Sequence, residues 1–122
     1  MIKIEELRIG NKVQDNNGFI FYVVSIFEDG TIYCDFEWNE GDVWEFNDNN
    51  PCQGIPLTEE ILLKCGFVEG LTKPKHYHTK DMMICNIQGM FINVRTDVRI
   101  KYLHQLQNLY FCLVGKELNV EL

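Results

Sequence analysis

Over the first fifty residues, apolar and polar positions alternate in short runs separated by Asn, Asp and Gly, the pattern of antiparallel strands with one buried and one wet face. Residues 2–13 begin with a short turn, and Gly10-Asn11 bends the chain before a first strand at Val13. Asp15-Asn16-Asn17-Gly18 is a turn, because Asn and Gly accept a positive φ at low steric cost. Phe19–Phe27 is rich in β-branched and aromatic residues, and Glu28-Asp29-Gly30 turns it into a second run, Thr31–Trp38. In that run Asp35 and Glu37 alternate with Phe36 and Trp38, which predicts an acidic face toward solvent. Asn39-Glu40-Gly41-Asp42 predicts a further turn, and Val43-Trp44-Glu45-Phe46 another strand. Turns at such close spacing predict a bent antiparallel sheet or an SH3-like barrel. Asn47-Asp48-Asn49-Asn50-Pro51 closes this region and marks an internal boundary.

The period then changes. Thr58 precedes Glu59 and Glu60, and Gly66 follows Cys65, so a short helix is expected with a side-chain cap, acids at its positive end and a left-handed stop. Ile61, Leu62 and Cys65 share one face of it, and Glu60 and Lys64 form an i,i+4 pair outside. Lys75–Thr79, Met82–Ile87 and Met90–Arg95 read as a β-meander turning at Thr79-Lys80-Asp81 and Gln88-Gly89. A long helix is expected from Val98 or Arg99 to Val114, capped by Asp97 and ended by Gly115. Its stripe is Leu103, Leu106, Tyr110 and Leu113, joined by Tyr102 and Leu109, with Lys101, His104, Gln105 and Asn108 outward. From Leu109 to Val114 it is apolar all round, so a sheet or another chain, for example in a homodimer, has to cover that end. The fold class is α+β, with 122 residues in a single domain made of an acidic β-rich half (1–50) and a second half (51–122) of helix, β-meander and C-terminal helix.

Composition adds a compartment. The 46% apolar content is that of a globular chain, no apolar run reaches the length of a membrane span, and the N-terminus lacks a signal-peptide layout. Five cysteines are widely spaced among apolar neighbours with no CxxC pair, which suits buried free thiols in a reducing, cytoplasmic setting.

Charge divides the chain. Residues 1–50 hold eleven Asp/Glu against three Lys/Arg, residues 51–122 seven against eight, and no cation stands between Lys12 and Lys64. The net charge of −7 disfavours direct nucleic-acid binding and favours basic partners. Carboxylates at Asp35, Glu37 and Glu45, with Trp38 and Trp44 between them, could imitate a row of phosphates and occupy a basic groove of a partner protein.

The chemistry-bearing residues give no catalytic motif. Ser25, the sole serine, sits in an apolar strand without a nucleophile elbow, and the carboxylates stand where solvent-facing strand positions fall. His76 and His78 lie on one side of a strand, but two ligands make no metal site without a third from elsewhere, such as His104 or Asp81. Lys73, Lys75, His76, His78 and Lys80, beside Tyr77, form a basic cluster that could hold a nucleotide by charge and stacking, although no P-loop or GxGxxG accompanies it. No cofactor is expected.

Three segments carry a resemblance: Ile4-Glu5-Glu6-Leu7-Arg8-Ile9-Gly10-Asn11, the run from Ile55 to Phe67, and, most specifically, the run from Tyr102 to Phe111 containing HQLQNLYF. In this order they resemble a group of small proteins of gut Bacteroidales genomes and their phages. The resemblance implies a setting rather than an activity: a phage or prophage protein that binds host machinery, for example a defence nuclease, or sequesters a nucleotide signal.

Overall fold

The structure, a computed structural model, describes residues 2–39, 43–73 and 75–122. The predicted turn at Asn39–Asp42 lies largely outside them. The chain divides into two compact units, Met1–Ile55 and Pro56–Leu122.

In the first unit a 3-10 turn at Ile4–Glu6 leads into β1 (Lys12–Gln14), β2 (Ile20–Ile26), β3 (Ile32–Asp35) and β4 (Trp44–Phe46), paired antiparallel in the order β1-β2-β3-β4. This is the bent-sheet form of the expectation, an open meander. The turn into β2 is built by Asp15, whose Oδ1 accepts hydrogen bonds from the N–H groups of Asn17 and Phe19, both at 2.9 Å. Between Val23 and Ser25 the β2–β3 register shifts, a bulge that bends the strand. The chain then returns to the free side of β1, where Gln14 and Gln53 exchange backbone hydrogen bonds of 2.8 and 2.9 Å. The concave side is filled by Val13, Phe21, Val23, Ile32, Cys34, Phe46 and Cys52, buried together with Ile2 and Leu7. At about 25 cal/mol per Å² of apolar surface, this cluster is the main stabilising term of the unit.

One strand ends sooner than its alternation predicted. β3 stops at Asp35, and Glu37 and Trp38 lie in a turn where Trp38 has φ 71°. The cause is local: Asp35 Oδ1 accepts from the Phe36 N–H at 2.8 Å and from Asn39 Nδ2 at 2.6 Å, an alternative to ladder pairing.

In the second unit α1 (Glu59–Lys64) forms as its signals predicted. Thr58 Oγ1 accepts from the Ile61 N–H at 3.2 Å, Gly66 is left-handed at φ 87°, and Lys64 Nζ lies 3.1 Å from Glu60 Oε1. β5 (Val68–Glu69), β6 (His76–His78), β7 (Met83–Ile87), β8 (Met90–Asn93) and β9 (Arg99–Ile100) form an antiparallel sheet in chain order, followed by α2 (Leu103–Val114). The β-meander is therefore present, extended by an edge strand at either end.

The start of the C-terminal helix is corrected. Arg99 and Ile100 pair with Ile92 and Phe91 as a strand, and Asp97, at φ 61°, closes the preceding turn instead of capping a helix. β-branched Ile100 suits that strand, and Val98 leads into it, its carbonyl accepting from the Asn93 N–H at 2.9 Å. The cap is supplied by Gln105, whose Oε1 accepts from the N–H groups of Lys101 and Tyr102 at 2.8 and 3.1 Å. Leu103, Leu106 and Tyr110 are buried as expected, but His104 is fully buried too, and so is Gln107, so the covered face is wider than the apolar stripe. At the far end Phe111 and Cys112 are exposed. Among the described residues no helix is long and apolar enough to cross a membrane.

Candidate partner-binding face

Strand register decides which predicted residues share a surface. Tyr22 stands opposite Asp35, with Lys12 on its other side, and Tyr33 stands between Ser25 and Glu45. These rows make the solvent face of the N-terminal sheet: Lys12, Tyr22 and Asp35 in one, Ser25, Tyr33 and Glu45 in the next. Lys12 Nζ lies 5.4 Å from the centre of the Tyr22 ring. Partial burial and then the neighbouring Asp35 carboxylate push the Tyr22 phenol above its ordinary range, with Glu37 adding in the same sense. Tyr33 packs edge-on against the half-exposed Phe27 at 5.3 Å. Glu37 and Glu45 are exposed and make no ion pair among the described residues.

The tryptophans lie elsewhere. Trp44 stands opposite Cys34 on the concave side, its ring 5.8 Å from that of Phe21, and leaves half its surface outside. Trp38 is 96% exposed on the turn after β3. The structure thus brings Asp35 and Glu45 onto one face with Glu37 beside them, and separates Trp44 from them. Two tyrosines that were not singled out, Tyr22 and Tyr33, occupy the aromatic positions beside the carboxylates, opposite Asp35 and Glu45. The period-two pattern contained that signal, since neighbours in a strand face opposite ways.

The same unit has an open cavity of about 490 Å³ at the 3-10 turn and the β2–β3 turn, with Glu5, Glu28, Asp29 and Asp48 in its lining and Lys3 as the cation. Hydrogen bonds from Thr31 hold the Asp29 carboxyl below its usual range. The cavity extends the acidic character of the unit without an ordered chemical constellation.

The basic cluster of the second unit is only partly available. Lys75 Nζ lies 3.3 Å from Glu59 and 3.4 Å from Glu69; the hydrogen bond to Glu59 first, then Tyr77 and the two charges, raise its pKa. His76 and His78 do lie on one side of β6, ring centres 5.8 Å apart, but the His76 ring is packed on Gly70. Lys73 and Lys80 are exposed at the two ends of the cluster. Among the described residues no three His, Cys, Asp or Glu side chains are placed to hold a metal ion. Two cations outside the cluster, Arg99 and Lys101, instead border a cavity with Tyr102. Reading residues 98–102 as helix hid them, because the alternation Val98-Arg99-Ile100-Lys101-Tyr102 places both cations on one side only in extended chain.

Comparison with protein-family models, with curated proteins and with solved structures gives no match to this chain.

Proposed function

We propose that the protein is a non-enzymatic binding protein that engages a basic surface of another protein through the solvent face of its N-terminal sheet. The observation that carries this reading is the placement of Asp35 and Glu45 on one face, with Tyr33 between them, Tyr22 on the far side of Asp35 and Glu37 at its margin. Tyrosine supplies broad, stiff contact area with a polar tip, and carboxylates steer and orient a cationic partner. No cation stands between Lys12 and Lys64, so beyond Lys12, which sits beside Tyr22 at the edge of this face, every charge of the unit is negative. The setting that the resemblance implies adds a target class: a host protein with a groove evolved for nucleic acid, which this face would occupy as a phosphate mimic. A phage protein acting in this way would blunt a bacterial defence.

Affinity capture from a host lysate tests this, using the wild type and an Asp35→Lys/Glu37→Lys/Glu45→Lys variant, at low and high salt. The expected result is a basic protein retained by the wild type at low salt, released at high salt, and not retained by the folded variant. Equal retention by both proteins would refute the reading.

A further inference from the structure

Beyond Ile100 the chain of the second unit continues extended, and Leu57 donates its N–H to the Lys101 carbonyl at 2.9 Å while Pro56 bridges to Tyr102. This added pairing walls a cavity of about 280 Å³ with Leu57, Met90 and Phe91 on its apolar side and Arg99, Lys101 and Tyr102 around it. No Asp or Glu side chain is among its described lining residues.

Three features point to an anion. First, Arg99 and Lys101, like Lys73, Lys80 and Arg95, make no ion pair among the described residues, and these two share one cavity with no carboxylate in its described lining. Second, both cations alternate with the buried Ile100, so two like charges stand on one side of the chain and repel each other until an anion neutralises them. Third, the Tyr102 ring is held nearly parallel to that of His104, at 11° and 5.7 Å, which fixes its orientation. A guanidinium matches two phosphate oxygens at once, an ammonium adds a point charge, and an oriented aromatic ring offers a face for stacking.

We infer that this cavity binds a small organic phosphate with a planar ring, of the nucleoside monophosphate class. The phosphate lies on Arg99 and Lys101, and the ring lies against Met90, which the β8–β9 register sets on the same side as the two cations, with Tyr102 at the cavity's margin. The volume lies just under the usual range of ligand sites, which suits a ligand no larger than one nucleotide. The inference is independent of the acidic face, which belongs to the other unit.

Calorimetric titration and thermal melting with AMP, GMP, CMP and UMP test it, with adenosine and inorganic phosphate as the separated halves. At least one mononucleotide is expected to bind and raise the melting temperature, with each half roughly tenfold weaker. Arg99→Gln/Lys101→Gln is expected to weaken binding by about tenfold or more, and Lys73→Gln/Lys80→Gln to leave it within about twofold. Both pairs are exposed, and melting without ligand verifies their folds; amide shifts of Gly89 and Ile100 in the wild type locate the ligand without any substitution. No response to any of the four nucleotides overturns the inference. So does binding that survives in the Arg99→Gln/Lys101→Gln variant, binding lost equally in the Lys73→Gln/Lys80→Gln variant, or phosphate alone binding as tightly as the nucleotide.

Discussion

The Tyr110 hydroxyl donates a 3.1 Å hydrogen bond to Asp81 Oδ2, tying α2 to the turn between β6 and β7. Lys116 Nζ approaches the same carboxylate oxygen at 3.8 Å. Tyr110→Phe keeps the buried ring and removes the donor, so a loss of about 1 kcal/mol is expected in urea unfolding. Lys116→Gln, which removes a more exposed charge, is expected to cost less, within about 0.5 kcal/mol. A Tyr110→Phe variant as stable as the wild type would show that the bond contributes nothing net.

Gly70 is required for space. A methyl group there would collide with the His76 ring, while the Gly70 N–H already donates to the His76 carbonyl at 2.8 Å. Gly70→Ala is expected to destabilise by about 1–3 kcal/mol, the range for overpacking. Adding His76→Ala removes the clashing ring, so the double variant is expected to melt above Gly70→Ala alone. Strict additivity of the two substitutions would contradict this contact.

The helix cap gives a third test. Thr58→Ala deletes the acceptor for the Ile61 N–H and is expected to cost about 1 kcal/mol, with Thr58→Ser restoring most of it. A small loss of helical circular dichroism, no larger than the six residues of α1 contribute, should accompany it.

Burial pushes the Cys34 and Cys65 thiols up to about 12 from 9.0, and raises Cys52 in the same direction. A pKa raised in the folded state contributes stability that is fully present below the unfolded value and disappears as pH climbs through the folded one. Stability is therefore expected to fall between about pH 9 and 12. The raised Tyr110 phenol, shifted by burial and then by Asp81, acts in the same sense above its ordinary value of 10.0. Replacing Cys34 or Cys65 by Ala should flatten the alkaline decline, whatever it does to stability at neutral pH. Alkylation at neutral pH is expected to mark the exposed Cys112 first and to reach Cys34, Cys52 and Cys65 only on unfolding.

Legibility in the sequence followed the range of the interactions. The α1 helix was readable because cap, acids and glycine stop all act within a few residues of one another. The turns at Asp15–Gly18 and Glu28–Gly30 were readable for the same reason. The end of β3 was not, since Asp35 to Trp38 alternates in the same way whether the Asp35 side chain is solvated or folded back onto the Phe36 amide. β9 was missed because a two-residue strand exists only through its pairing with Phe91 and Ile92, a non-local fact. Asp97 has the chemistry of a helix cap, and its left-handed φ, visible only in the structure, gives it a different use. Similarly, His104 has the polarity of an outward position, and its burial depends on what covers that side of α2. The carboxylates of the candidate face were legible from their period; the separation of Trp44 from Glu45 followed from the same period, and the ring system that replaces it, Tyr22 and Tyr33, follows from cross-strand register.

Trp38 stands almost wholly in water on a turn, while Trp44 rests half-covered against Phe21. An indole in water emits at longer wavelength than one shielded by neighbouring rings, so the two tryptophans give separable spectra, and Trp44→Phe leaves Trp38 alone to report. The turn after β3 thereby acts as a built-in optical probe: whatever molecule settles over it announces itself by a blue shift in emission, with no dye attached.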